Sequence, residues 1–212
     1  MAQRLVHYLF GEMLSQQAEI KDKSRFLLGS VMPDAYTDVR DRNKTHFKRR
    51  LTSGMMYFDF DSFKAQFHSE MLCDELYLGY YMHLVEDAFY RTFIHGNGYK
   101  MPNGSDEIAR LHNDYHILNA YIVKKYNITN ILNTPVNIGC EPIQKIADFR
   151  LSGFVDDMSN DFTEQTSGNT CFVTESMLDR FIAEYSDRCI TELQSVLRGE
   201  TYLAAEQLAY SR

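Results

Sequence analysis

The sequence has no tryptophan, only four prolines, and no apolar run near the roughly 20 residues that a transmembrane helix needs. The segment from Met1 to His7 also lacks the uninterrupted apolar core of a signal peptide. The four cysteines are scattered and form no Cys-x-x-Cys pair, which argues against a thiolate zinc site. We therefore expect a soluble, cytoplasmic protein whose cysteines are reduced.

The chain has fewer basic than acidic residues, with 22 Lys and Arg, 29 Asp and Glu, and a net charge of -7. An acidic surface gives no support for non-specific binding to nucleic acid. Without an apolar surface helix, stable docking on a membrane is not expected either. A small soluble molecule is the partner that we expect, and the sequence leaves the oligomeric state open.

The remaining composition is that of an ordinary globular protein, with 44% hydrophobic and 24% charged residues in a chain of 212. This length predicts a single domain, 1–212, around one sizeable core. Apolar residues recur at helical spacing along most of the chain, so we predict an all-α, multi-helix bundle. The predicted helices are 3–18, 25–32, 61–73, 74–94, 106–126, 143–161, 174–197 and a short one at 201–209.

Several helix boundaries are predicted from capping residues. Ser24 is expected to cap the second helix and Thr174 the last long one. Pro33 is expected to end the second helix, because the residue before a proline disfavours the helical region. Residues 35–58 and 127–140 are predicted to be irregular, and a loop as long as 35–58 is uncommon unless it carries function.

Histidine and aspartate occur together at informative positions. His83 and Asp87 are four apart in the predicted central helix, so their side chains share one face. His112 and His116 repeat this spacing in the next long helix. Imidazole nitrogens and carboxylate oxygens are ligands of zinc, and a helix bundle can bring them together from separate helices. Each residue alone also suits an ordinary role, as a buried hydrogen-bonded histidine or a turn aspartate.

Two further segments precede His83-x-x-x-Asp87, in the order Gly29-x-x-x-Pro33-Asp34 and Thr45-His46-Phe47, and an early helical histidine, His7, comes before all three. Together they resemble the zinc-dependent phospholipase C family, which is related to the S1/P1-type nucleases. The resemblance covers roughly residues 3–126. The family fold is all-α, in agreement with the helical prediction.

The resemblance implies a metal centre and a reaction. Asp34, His46, His83 and Asp87 would bind one zinc ion, and Asp87 would bridge to a second ion held by His7. A metal-bound hydroxide would then hydrolyse a phosphodiester or phosphomonoester, with Asp34 taking the proton from water. The family pattern continues with His-x-x-x-Glu, where this chain has a His-x-x-x-His, so its two histidines are further candidate ligands. These are His112 and His116.

The residues alone leave other interpretations open. His and Asp ligands accept manganese or iron as well as zinc. A metal-stabilised helical protein that binds or supports structure without turnover would use the same residues. A helical bundle without metal, in which the histidines belong to the core, is the third possibility.

Overall fold

The computed structural model describes residues 3–132, 138, 141–200 and 202–211. In these ranges nine α-helices account for most of the chain, joined by short 3₁₀ turns and one antiparallel hairpin. The helices are α1 (Arg4–Gln17), α2 (Lys23–Val31), α3 (Arg42–Thr45), α4 (Phe60–Gln66), α5 (His68–Met71), α6 (Glu75–Gly96), α7 (Ser105–Tyr126), α8 (Leu151–Thr163) and α9 (Glu175–Leu197). The strands are β1 (Lys48–Arg50) and β2 (Met56–Phe58).

Helix α6 forms the centre of the protein. It begins at Asp74, whose side chain accepts a hydrogen bond from the Leu76 N–H at 3.0 Å. From Leu76 to Tyr90 every residue is buried, including the polar ones. A helix that is apolar around most of its circumference belongs in a core, and here α1, α2, α4, α5 and α9 all contact it.

The closest packing joins α2 to α6, and it depends on two glycines. A Cβ atom on Gly29 would lie 2.0 Å from the carbonyl oxygen of Leu76. A Cβ atom on Gly79 would likewise lie 2.0 Å from the carbonyl oxygen of Phe26. Only glycine allows the two backbones to come this close, and the crossing sets the position of the end of α2 against the middle of α6.

Helix α7 is connected to the rest of the protein by a buried carboxylate. Asp114 accepts backbone hydrogen bonds from Cys171, Phe172 and Val173, at 2.8, 2.6 and 3.0 Å. These bonds hold the loop that leads into α9. Asp114 is fully buried, and its charge is compensated by the three N–H groups.

The all-α prediction is confirmed as a fold class, and Thr174 caps α9 as expected, accepting a hydrogen bond from the Met177 N–H. No helix in the described ranges has the length and apolar character that crossing a membrane requires. The predicted cap of the second helix is wrong. Asp22, not Ser24, accepts the N–H of Arg25, at 3.0 Å, and α2 begins at Lys23.

Other boundaries also differ from the prediction. The α-helix ends before Pro33, as predicted, but at Val31 instead of Met32, and Met32–Asp34 follows as a 3₁₀ turn that needs no hydrogen bond from the proline nitrogen. Segment 35–58 is not wholly irregular, since it contains α3 and the hairpin. The predicted helix 61–73 begins earlier, after an Asp59 cap, and is divided between α4 and α5.

In the C-terminal half, a 3₁₀ turn and α8 replace the predicted helix 143–161. The predicted helix 201–209 is a 3₁₀ turn, Ala205–Leu208, and residue 201 lies outside the described residues. The prediction of an irregular segment at 127–140 falls partly outside them too, at 133–137 and 139–140.

Candidate metal centre

Five residues predicted as metal ligands meet in the interior. They come from α1, the 3₁₀ turn after α2, the end of α3, and the middle of α6. They form two overlapping groups. Within each group, the potential ligand atoms all lie within 4.8 Å of one another. One group is His7, His83 and Asp87; the other is Asp34, His46 and His83.

Local structure sets the direction of His46. The Tyr80 hydroxyl donates to the carbonyl oxygen of Thr45 at 2.6 Å, which ties the end of α3 to α6. Phe47 then has a φ of 49°, a left-handed conformation that is rare for a bulky side chain. This sharp turn sends the chain into β1 and leaves the His46 ring inside, where it is fully buried.

Each of the three histidines has an acceptor at its Nδ1 atom. The Nδ1 of His83 lies 2.8 Å from the carbonyl oxygen of Ser30. The Nδ1 of His46 lies 2.8 Å from the carbonyl oxygen of Arg42. The Nδ1 of His7 lies 2.8 Å from a carboxylate oxygen of Glu86. Such contacts orient a metal-binding imidazole and leave its Nε2 as the ligand atom.

The Nε2 atoms and the carboxylates then face one another. The Nε2 of His46 lies 3.3 Å from the Nε2 of His83 and 3.2 Å from Oδ1 of Asp34. Two ligand atoms at about 2.1 Å from a tetrahedral ion are about 3.4 Å apart, so these spacings fit a transition-metal ion. The Nε2 of His7 is buried and makes no hydrogen bond within the described ranges.

Asp87 lies between the two groups. One of its oxygens is 3.7 Å from the Nε2 of His7, and the other is 3.7 Å from the Nε2 of His46. A carboxylate with its two oxygens directed toward different histidines can bridge two ions.

Burial of the five side chains is nearly complete. The side chains of His7, His46, His83 and Asp87 are 0% exposed, whereas that of Asp34 is 10% exposed. Asp34 is therefore the least buried of the five side chains.

The protonation states expected of the free centre suit most of these ligands. Burial lowers the pKa of both His46 and His83, which favours neutral imidazoles. Burial alone would raise the pKa of Asp34, but its close contact with His46 and the electrostatic effect of the nearby histidines hold the pKa below its usual value. His7 is the exception. Burial favours its neutral form, but the carboxylates of Glu86 and Asp87 outweigh that effect and raise its pKa to about 9.

The two histidines of α7 are not brought to this centre. His112 is exposed and its ring stacks on Tyr115, with 6.2 Å between centroids. The Nδ1 of His116 lies 2.8 Å from Glu164, and with Asp161 the two form a separate surface group. Asp161 already forms an ion pair with Arg4 at 2.8 Å, so this group is a weaker candidate for binding a metal than the buried centre.

Sequence reasoning missed the groups that orient the histidines. Two of these acceptors are backbone carbonyls, which no residue type signals. Glu86 could have been noticed because it lies three residues after His83 on the same helix, where side chains are neighbours. Searches against protein-family models, curated proteins and solved structures gave no match to this chain, so the residues themselves carry the functional argument.

Proposed function

We propose that the chain is a metal-dependent phosphoesterase of the phospholipase C and P1-nuclease type. It hydrolyses a phosphodiester or phosphomonoester and uses one or two ions of zinc, or of manganese or iron. The observation that carries the proposal is the orientation of the three buried histidines. Each Nδ1 has an acceptor. The three side chains form two groups of potential ligands with Asp34 and Asp87. A core that needed only satisfied histidines has no reason to bring their Nε2 atoms together.

The residues divide between two ions unequally. The Nδ1 of His83 is occupied by the Ser30 carbonyl, so its Nε2 serves one ion. Asp34, His46, His83 and one oxygen of Asp87 can hold that ion. Among the described residues, the other side then offers His7 and the second oxygen of Asp87. The first ion would therefore be held more tightly than the second.

Bound metal ions supply Lewis acidity and lower the pKa of water at the site. Asp34 provides the proton acceptor. It is the less buried of the two carboxylates, and its lowered pKa keeps it ionised at neutral pH. The main-chain contacts to His46 and His83 keep both rings fixed while substrate is exchanged.

A second candidate function is a metal-stabilised binding or structural protein without turnover. The near-complete burial of the centre favours it, because a structural site needs no access for a substrate. We place the protein in the cytoplasm, a reducing compartment in which the free thiols of Cys73, Cys171 and Cys189 would persist.

The test is elemental analysis of the purified protein before any chelator is added. We expect one to two transition-metal ions per chain, lost on His83→Ala or Asp87→Ala, and retained on His68→Ala, a change at an exposed histidine. A phosphoester panel then separates the candidates. Hydrolysis that disappears in Asp34→Asn supports the enzyme, and bound metal without hydrolysis supports the second candidate. Full metal content in both ligand variants would refute the site.

A further inference from the structure

Lys48 places a positive charge beside the candidate metal centre. It is the first residue of β1, two positions after His46, and its side chain is half-buried. Its Nζ atom lies 4.8 Å from the centroid of the Phe58 ring, its partner across the hairpin. Within the described ranges, no carboxylate lies within ion-pair distance of this ammonium group.

Arg91, in α6, supplies a second positive charge. It follows Asp87 by one turn of α6. Its guanidinium carbon lies 5.4 Å from the ring centroid of Tyr210, and that ring is 5.8 Å from Phe58. The Nε of Arg91 is buried without a hydrogen bond, and its Nη1 contacts only the sulfur of Met101, at 3.8 Å. In the part of the chain that the structure describes, no carboxylate forms an ion pair with it.

The two cations flank one pair of aromatic rings. Lys48 lies over Phe58, Arg91 lies over Tyr210, and the centroids of the two rings are 5.8 Å apart. Cations that are partly withdrawn from water normally have partners, because an uncompensated charge there is costly. Metal ions at the centre would engage both aspartates and leave Lys48 and Arg91 in need of an anion.

From this arrangement we infer that Lys48 and Arg91 form an anion-binding pair that selects a dianionic phosphoryl group, so that the substrate is a phosphomonoester. This inference rests on the proposed function. A phosphomonoester carries about one more negative charge than a diester at neutral pH, and two unpaired cations match that charge. Lys48 and Arg91 are then substrate-binding residues that contact phosphoryl oxygens and leave the metal ligands unchanged.

The experiment is calorimetric titration of zinc-loaded, full-length protein with inorganic phosphate. Lys48→Met and Arg91→Met should each weaken phosphate binding about tenfold, since each removes one charge-assisted contact. Arg91→Lys should restore part of the loss. The matched control is Lys44→Met, because Lys44 is exposed and already paired with Asp41 at 2.7 Å. Metal content and the melting curve of every variant are measured on the same samples.

A second titration compares phenyl phosphate with its methyl ester. The wild type should prefer the monoester, and the preference should shrink in Lys48→Met. The inference fails if the wild type binds the two compounds equally. It also fails if Lys48→Met and Arg91→Met both bind phosphate as tightly as Lys44→Met does. Both outcomes count at any metal content. Should the wild type hold no metal while Lys48→Met still weakens phosphate binding, the anion site stands and the proposed hydrolase fails.

Discussion

Replacing Gly79 with alanine tests whether the crossing of α2 and α6 positions the candidate metal centre. The new Cβ would lie 2.0 Å from the Phe26 carbonyl oxygen and 2.9 Å from the Ser30 nitrogen. Ordinary contact begins at 3.4 Å, so the two helices must separate by about 1.4 Å. The hydrogen bond from His83 Nδ1 to the Ser30 carbonyl, now 2.8 Å long, would then break.

The expected cost follows from these changes. Overpacking costs about 1–3 kcal/mol, and an unsatisfied buried carbonyl or imidazole adds about 1–3 kcal/mol. The higher helix propensity of alanine, compared with glycine, offsets about 1 kcal/mol of this loss. A net loss of about 3 kcal/mol would lower the melting temperature of a chain of this size by roughly 6–12 °C. Zinc affinity should fall about 10- to 100-fold as well, because the orientation of His83 is lost.

The matched control is Gly96→Ala, at the last position of the same helix. A Cβ there meets nothing within 4 Å, so stability should stay the same or rise by less than about 1 kcal/mol. Thermal melts followed by circular dichroism and zinc titrations against a chelating dye give both quantities. If Gly79→Ala melts and binds zinc as Gly96→Ala does, the crossing does not hold the site.

Zinc uptake near pH 7 should release a proton from His7, whose pKa is raised to about 9 by Glu86 and Asp87; calorimetry in buffers of different ionisation enthalpy measures it. The Glu86→Gln variant should release fewer protons per zinc ion bound. An unchanged number would refute the role of Glu86 in raising the pKa of His7. Asp114→Ala should cost about 2–4 kcal/mol in urea denaturation without changing metal content, because three backbone N–H groups lose their acceptor. Joint replacement of His112 and His116 by alanine should leave metal content at the wild-type value, and a lost ion would mean that α7 carries a ligand.

Much of the fold could be predicted because it is encoded locally. The apolar pattern of α6 and the Thr174 cap each depend on neighbouring residues, and both predictions are confirmed. The hairpin was missed because its strands have three residues each, too few for a periodic signal, and two of the three in β1 are exposed and charged.

The site was predictable in its side chains but not in its supports. Spacing places His83 and Asp87 on one face, and the order of motifs gathers His7, Asp34 and His46 with them. The hydrogen bonds to the Asp114 carboxylate come from residues more than 55 positions away in the chain, so no local sequence pattern reveals them. The orienting carbonyl of Ser30 is likewise a product of the α2–α6 crossing, which appears only once the chain is folded.

The acceptors of the three histidines differ in how they respond to mutation. The carbonyl oxygens that orient His46 and His83 belong to the main chain, so every substitution at Ser30 or Arg42 that preserves the backbone keeps them. The acceptor of His7 is a side chain, and one codon change at Glu86 removes it. Sequence drift can therefore alter the His7 side of the centre while the other side is inherited intact. If the centre holds two ions as proposed, the ion beside His7 would be the first to be lost, with the fold unchanged.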